Sequence, residues 1–288
     1  PPEAVRPASE IPVLPYAQID TLRDRVDVLI LCSGSAADLP HQTPELAANF
    51  NTVDSFDTHG KIPAHFAAVH RSAAASGHLS LISAGWDPGL FSVARVLFDA
   101  MLPDGATATF WGRGVSQGHS DALRRIPGVL DAREYTVPIP GAMELAENGL
   151  AEALSPTATH RRECFVVPAA DADRDRIARD IRSLPEYFLG YDTTVTFITA
   201  EELKRDHAAL PHGGRVIRSG ATGDGSRHRL ALDLRLGSNP AFTGGVLVAY
   251  ARAVYRLRQL GQTGCITPLD VPPAALSQKS GEELRWII

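Results

Sequence analysis

The sequence predicts an α/β chain in two parts: an incomplete doubly wound parallel-sheet domain, then an α+β domain with a mainly antiparallel sheet. Three observations carry this. Val26 to Cys32, VDVLILC, is a continuous apolar run with charge before it and SGS after it, the composition of a strand buried on both faces. Strand candidates and helical stretches then alternate three times as far as Met101, the rhythm of successive βαβ units. Beyond Pro103 the texture changes to strand candidates of alternating polarity with helices between them.

The elements follow in order. Behind the first strand come a helix about Thr43 to Asn51, a strand at Asn51 to Asp54, and a helix about Pro63 to Ala75. A strand at Leu79 to Ser83 and a helix about Pro88 to Met101 complete the first part. In the second part, strands are expected at Thr107 to Trp111, Arg133 to Val137, Arg162 to Val167, Thr194 to Ile198 and Arg227 to Leu236, with a helix at Asp173 to Ile181. Phe242 to Leu260 carries Val246, Val248, Ala249, Ala253, Val254 and Leu257 at helical spacing. Cys265 to Val271 then returns to the first domain as a strand, and Gly220 to Gly225, GATGDG, reads as a flexible loop.

A complete doubly wound fold carries GxGxxG after its first strand and a selector residue near the end of the second. Nothing ahead of Val26 matches. The expectation is therefore a first strand-turn-helix unit of about 30 residues lying upstream, with the proline-rich opening PPEAVRPASEIPVLPY as an irregular approach. Gly112, Gly114 and Gly118 in GRGVSQG imitate the motif, but the spacing G-x-G-x-x-x-G is one residue too long. With Trp111 before it and His119 and Asp121 behind, this run reads as part of a ligand wall.

Composition excludes several classes. At 288 residues, 44% hydrophobic and 21% charged, the chain buries a real core. A net charge of −5 gives no basic face for nucleic acid. No apolar run approaches the roughly 18 residues of a membrane span, and the opening has no signal-peptide pattern. Cys32, Cys164 and Cys265 are far apart and odd in number, which fits a reducing compartment, the cytoplasm. GxSxG, HExxH, a Walker lysine and CxxC are all absent, so hydrolase, P-loop and zinc readings have no support.

Candidate chemistry gathers where strands end. Asp54, Asp57 and Asp87 sit at or just past the carboxyl ends of predicted parallel strands, where open α/β sheets place ligands. Asp54 reads better as a cap or turn former; Phe56 and Trp86 beside the other two favour function there. Cys32-Ser33-Gly34-Ser35 closes the first strand with small residues, a backbone a phosphate could approach or an ordinary βα turn. Arg162, at the head of an apolar strand, can clamp a carboxylate bidentately or form a surface ion pair. His160 and Cys164 share a strand face, but two ligands without a third make no metal site. His212 in LPHGG and Asn239 in GSNP are turn formers or binding groups, and Trp86 and Trp111 are core or pocket aromatics.

Several long segments, LCSGSAADLP, VDSFDTH, GWDPGLFS, FWGRGVSQGHSDALRRIPGV, RRECFVV, PEYFLGY, LPHGGRVI and SNPAFT, span most of the chain. Together they resemble the NADP-dependent meso-diaminopimelate D-dehydrogenase family. The resemblance implies a Rossmann-like dinucleotide domain, here residues 1–103 completed by 262–288, and a substrate-binding and dimerisation domain at 104–261. It implies oxidative deamination of the D-centre of meso-diaminopimelate by NADP in lysine biosynthesis, in a cytoplasmic homodimer. By motif, Asp57 and Asp87 serve the D-centre with Gln117, between Trp86 and Trp111, while Thr136, Arg162, His212 and Asn239 hold the distal L-centre. Cys32, Ser33, Gly34, Ser35, Ser55, Phe56, Asp57, Ala84, Gly85, Trp86 and Asp87 line the nucleotide. The family's glycine-rich turn has no counterpart in this sequence. The alternative is a non-catalytic diaminopimelate-binding protein or inactive fragment that cannot hold NADP.

Overall fold

The computed structural model describes residues 11–151, 154–185 and 187–288. The first ten residues of the proline-rich opening, and Glu186 of PEYFLGY, lie outside the described residues. In chain order the elements are β1 (Val28–Leu31), α1 (Leu39–Ala47), β2 (Asn51–Asp54), α2 (Ile62–Ser76), β3 (Leu79–Leu81), α3 (Leu90–Met101), β4 (Gly105–Trp111) and β5 (Gly114–Val115). Then follow α4 (Gln117–Arg124), β6 (Val129–Pro138), α5 (Pro140–Glu147), β7 (His160–Pro168), α6 (Arg174–Arg182), β8 (Asp192–Phe197) and α7 (Ala200–Asp206). The chain ends with β9 (His212–Ala221), β10 (Arg227–Leu236), α8 (Asn239–Gln259), β11 (Gly264–Ile266), α9 (Pro273–Leu276) and α10 (Gly281–Arg285).

Two compact units divide the chain. Residues up to Ser92 group with Thr243–Ile288, and Val93–Phe242 form the other. The sequence-based boundary at 262 differs because α8 is a core element of the first unit, and that at 103 because α3 from Val93 onward groups with the second. Its Leu247, Tyr250, Val254 and Leu257, spaced three to four residues apart, bury against Val53, Leu79 and Leu81. That stripe is what an amphipathic helix needs to cover one face of a sheet.

In the first unit the sheet order is β1-β2-β3-β11, all parallel. Besides Asn51 and Asp54 at the two ends of β2, its strands carry the hydroxyl pair Thr52 and Ser80, which bond each other at 2.9 Å. A parallel sheet covered on both faces tolerates such groups only when paired. Ala47, Val69, Ala73, Ile82 and Cys265 form the core on the α1–α2 side. The returning strand Cys265–Val271 is shorter than expected, with β11 ending at Ile266.

In the second unit the strands form two sheets where one mainly antiparallel sheet was expected. The first, β10-β9-β4, is antiparallel throughout. The second, β5-β6-β7-β8, is antiparallel except for the parallel pair β7–β8, which α6 connects by crossing over. The sequence reading missed β9, whose glycines and arginines hide a strand pattern. The supposed flexible GATGDG segment is instead the end of β9 and a hairpin turn, in which Asp224 accepts from the Thr222 hydroxyl at 2.7 Å and from the Ser226 amide at 2.9 Å. Leu123, Ile126, Ile177 and Ile181 pack α4 and α6 against Ala132, Cys164 and Val166. Phe110, Ile217, Ala142 and Ala146 join α5 to β4 and β9.

Candidate active site

In the first unit, the carboxyl ends of β1, β2 and β3 each run into a loop, and one buried carboxylate ties two of them. Asp54 is fully buried. Its Oδ1 accepts from the amides of Phe56 at 3.1 Å and Ser83 at 2.8 Å; its Oδ2 accepts from the Thr43 hydroxyl at 2.8 Å and lies 2.7 Å from His65 Nε2. The Asp54 carbonyl also accepts from the Ala84 amide at 2.8 Å. Asp54 is therefore a turn former, the role its sequence favoured, and its work is to fix the segments holding Ser55, Phe56, Ala84 and Gly85. Ser83 adopts a left-handed backbone, φ 60°, a conformation rare outside glycine.

The β1 loop is joined to the β2 loop. The Ser35 hydroxyl accepts from the Asp57 amide at 2.8 Å and lies 3.2 Å from the Thr58 hydroxyl. Gly34 donates its amide to Asp38 at 3.0 Å. Cys32 and Gly34 are exposed and Ser33 half-buried; burial of its side chain pushes the Cys32 thiol up. Asp57 is exposed. In SAGWDPG, a Cβ on Gly89 would fall 1.9 Å from the Gly85 carbonyl oxygen, so only glycine closes this turn. Trp86, 7% exposed, packs edge-on against Phe91 at 5.2 Å. The half-buried Asp87 stands at the head of the turn, and α3 begins only at Leu90. Asp87 is therefore not the helix cap that a start at Pro88 implied.

The second unit holds a buried polar cluster on one face of β6 and β7. Thr136 lies opposite Arg162 in the antiparallel ladder, and Glu134 opposite Cys164, so the four side chains share a face. Arg162 is 7% exposed, which removes the surface ion pair from consideration. Arg162 Nη1 donates to the Thr136 hydroxyl, which donates to the Glu134 carboxylate at 3.1 Å. The guanidinium lies over the Tyr191 ring, 4.3 Å from its centroid, and 3.6 Å from Glu134 Oε1. Among the described residues Arg162 Nε has no hydrogen-bond partner. Burial drives the Glu134 carboxyl up to about 8, with Arg162 and Thr136 opposing.

Around this cluster the imidazoles are kept neutral. His119, whose Nε2 is buried without a partner among the described residues, is pulled down to about 3 by burial and then by Arg162 and His212. His160 falls to about 4 for the same first reason, with Arg162 next. His160 Nε2 accepts from the Trp111 amide at 2.8 Å, and its Nδ1 faces the Thr159 hydroxyl at 2.7 Å; this bonding selects the Nδ1-protonated tautomer. Burial also lowers His212.

The glycine decoy now has a physical account. A Cβ on Gly112 would lie 1.9 Å from the Thr136 carbonyl oxygen, and one on Gly114 would lie 2.5 Å from His212 Nδ1. Both are demanded by close approach within the second unit. Gly118 has nothing within 4 Å and is simply part of α4. Gln117 opens α4, exposed, and Asn239 opens α8, where its amide donates to the Leu210 carbonyl at 3.1 Å.

Glu134 is not among the residues the sequence pointed to, whereas His119 was read into the ligand wall and His160 was weighed as a metal ligand and set aside. Alternation along REYTV puts Glu134 on the face of Thr136, a polar face that the sequence alone does not distinguish from a solvated one; only the fold buries it. Among the described residues, no group of three His, Cys, Asp or Glu side chains is placed to hold a metal, and no helix is long and apolar enough to cross a membrane.

Comparison with known proteins agrees with this geometry. Residues 85–238 match the family described as the diaminopimelic acid dehydrogenase C-terminal domain. The meso-diaminopimelate D-dehydrogenase of Acetivibrio thermocellus is 50% identical over 287 residues, 99% of this chain and 86% of that protein. The structure of the C. glutamicum DAP dehydrogenase in complex with DAP superposes with a TM-score of 0.94 at 45% identity, over 99% of this chain and 88% of that one. An engineered D-amino acid dehydrogenase bound to NADP+ gives 0.90 at 43% identity, with 99% and 88% covered. The chain belongs to the meso-diaminopimelate D-dehydrogenase family.

Proposed function

We propose that this chain oxidises the D-centre of meso-diaminopimelate, with NADP as cofactor, to L-2-amino-6-oxopimelate and ammonia, as a cytoplasmic homodimer in lysine biosynthesis. One observation carries the substrate assignment: Arg162 is buried, yet its Nε keeps an unspent donor. A buried guanidinium with a free edge is suited to a carboxylate, which it binds in a forked, charge-assisted pair. Meso-diaminopimelate offers such a group at the end remote from the reaction.

The first unit is assigned the cofactor and the reacting end. Ser33, Gly34, Ser35, Ser55, Phe56, Ala84 and Gly85 suit a dinucleotide because they are mostly small and stand at the carboxyl ends of parallel strands. The buried Ser83 hydroxyl, without a partner among the described residues, adds an unused polar group at that edge. NADP supplies a hydride acceptor when bound. Asp57 and Asp87 accept hydrogen bonds from the α-ammonium of the D-centre, and one of them removes a proton from it. Trp86 walls that end, where one water adds to the imine left by hydride loss, supplies the keto oxygen and releases ammonia.

The second unit is assigned the distal end. Arg162 takes the L-centre carboxylate; Thr136, His212 and Asn239 complete the polar lining. Trp111 is held by His160 through its own amide, which fixes the ring as a wall. Anchoring the distal end in one pose decides which of two similar α-carbons reacts.

The test is an assay of the chain with meso-diaminopimelate and NADP+, following reduced nicotinamide, beside L,L-diaminopimelate. Turnover of the meso isomer alone is expected; equal turnover of both, or of neither, refutes the reading. Sedimentation velocity tests the dimer.

A further inference from the structure

Glu134 is the one fully buried acid in the second unit's polar cluster, and the reaction as assigned above leaves it without a task. We propose that Glu134 is a positioning residue for recognition of the distal carboxylate: acting through the Thr136 hydroxyl, it fixes the Arg162 guanidinium and sets how much of that positive charge is left for the substrate. The proposal rests on the reading that Arg162 takes the distal carboxylate.

Three constraints act on the guanidinium. Tyr191 covers one face at 4.3 Å, Thr136 accepts from Nη1, and Glu134 stands 3.6 Å away. The Thr136 hydroxyl stands between Arg162 and Glu134: it accepts from Arg162 Nη1 and lies 3.1 and 3.3 Å from the two Glu134 carboxyl oxygens. Thr136 is thereby a relay between Glu134 and Arg162. The backbone is tied down as well: the Glu134 amide donates to the Ser120 hydroxyl at 2.9 Å, and the Ser116 amide donates to the Glu134 carbonyl at 3.1 Å.

The charge argument follows from the surroundings. Glu134 faces Arg162 and Cys164 on β7, with the Glu163 charge on that strand's other face, and lies against α4, which carries His119. His119, pulled down to about 3, is neutral near neutral pH, and the Cys164 thiol is raised by burial and then by Glu134, so it stays protonated. With Glu134 protonated, Arg162 presents a full positive charge to an incoming carboxylate. Once Glu134 ionises, near 8 in the free protein, it neutralises Arg162 and competes with the substrate for it.

The experiment is calorimetric titration of meso-diaminopimelate, and of D-lysine, into the protein with NADPH present, so that no turnover occurs. D-lysine is meso-diaminopimelate without its distal carboxylate; its distal ammonium titrates higher than an α-ammonium, so each affinity is first corrected for the free ligand's own ionisation before the two are compared. Between pH 7 and pH 9, meso-diaminopimelate binding is expected to weaken about tenfold relative to D-lysine, one unit of proton linkage. Glu134→Gln keeps an oxygen for Thr136 and is expected to abolish that relative change. Thr136→Val, which removes the relay without touching either charge, is expected to weaken meso-diaminopimelate about tenfold relative to D-lysine at pH 7, the loss of a charge-assisted bond. If Glu134→Gln keeps the full pH step and Thr136→Val binds normally while Arg162→Met no longer distinguishes the two ligands, the proposal is overturned and the Arg162 reading stands. If Arg162→Met still prefers meso-diaminopimelate, the reading itself fails and the proposal with it.

Discussion

Among the described residues each unit buries one carboxylate beside its polar strand residues, and the two are solvated in opposite ways. Asp54 accepts from two backbone amides and the Thr43 hydroxyl and adjoins His65. Among the described residues the Glu134 carboxyl is hydrogen-bonded by Thr136 alone, with Arg162 at 3.6 Å. A carboxylate surrounded by fixed donors behaves as a structural pin, because protein groups replace its lost water. A carboxylate with a single donor is left poised, and burial dominates its titration. The difference teaches that a buried acid's role is read from its donors rather than from its depth.

The largest test of that contrast is stability. Asp54→Ala strands two buried amides and a hydroxyl, and the expected loss is about 3–5 kcal/mol in urea unfolding. Glu134→Gln at pH 7 replaces a largely protonated acid by an amide of equal shape, with an expected cost below about 1 kcal/mol. Equal costs for the two variants would erase the distinction.

The pH dependence of unfolding sharpens it. Glu134 has a folded value raised from 4.5 to about 8, so the native state holds a proton that the unfolded chain has released. Its contribution to stability is complete below about 4.5 and is lost as pH rises toward about 8. Glu134→Gln should flatten that alkaline fall. On the acid side, His119 and His160 are lowered from 6.5 to about 3 and about 4. The unfolded chain protonates them first, so stability falls as pH drops from 6.5 toward those values, and His160→Gln should relieve part of it. Urea midpoints over a pH series read both limbs.

Much of the fold was legible because the signals were local. β2 matched its expected limits, and the β10 span was found as Arg227 to Leu236. Hydrophobic periodicity also located α8, but it could not say which core the helix serves, since that depends on partners far along the chain. The split of the second unit into two sheets was hidden for the same reason. β9 was missed because Gly213, Gly214 and Gly220 look like loop, whereas Gly213 and Gly220 are required by strands crossing closely at Leu234 and Asp104. Of the site, Arg162 and Thr136 were named from the resemblance and meet in the ladder. Glu134 was passed over because a lone acid in a strand reads as a solvated face until its depth is known.

A smaller effect compares the tight turns of the two units. Gly89→Ala and Gly112→Ala each place a Cβ within 2 Å of a carbonyl oxygen at positive φ and should cost about 2–4 kcal/mol unless the turn opens. Gly118→Ala, with open space around it inside α4, should instead gain about 0.5–1 kcal/mol. Thermal melting of the three variants ranks them, and a destabilised Gly118→Ala would mean the glycine does something other than pack.

The smallest effect lies at the surface. Arg113 pairs with Glu163 at 2.8 Å and lies over the Tyr135 ring at 4.8 Å, with its side chain 57% exposed. Arg113→Ala should cost no more than about 1 kcal/mol, because water screens the pair and the long side chain loses entropy in forming it. That cost should shrink further as salt rises. The same kind of ion pair 3.6 Å apart at Glu134 and Arg162 is sealed from water, so its pH response should persist at high salt. Were both to fade together, the poise of Glu134 would be a matter of long-range charge rather than of the donors around it.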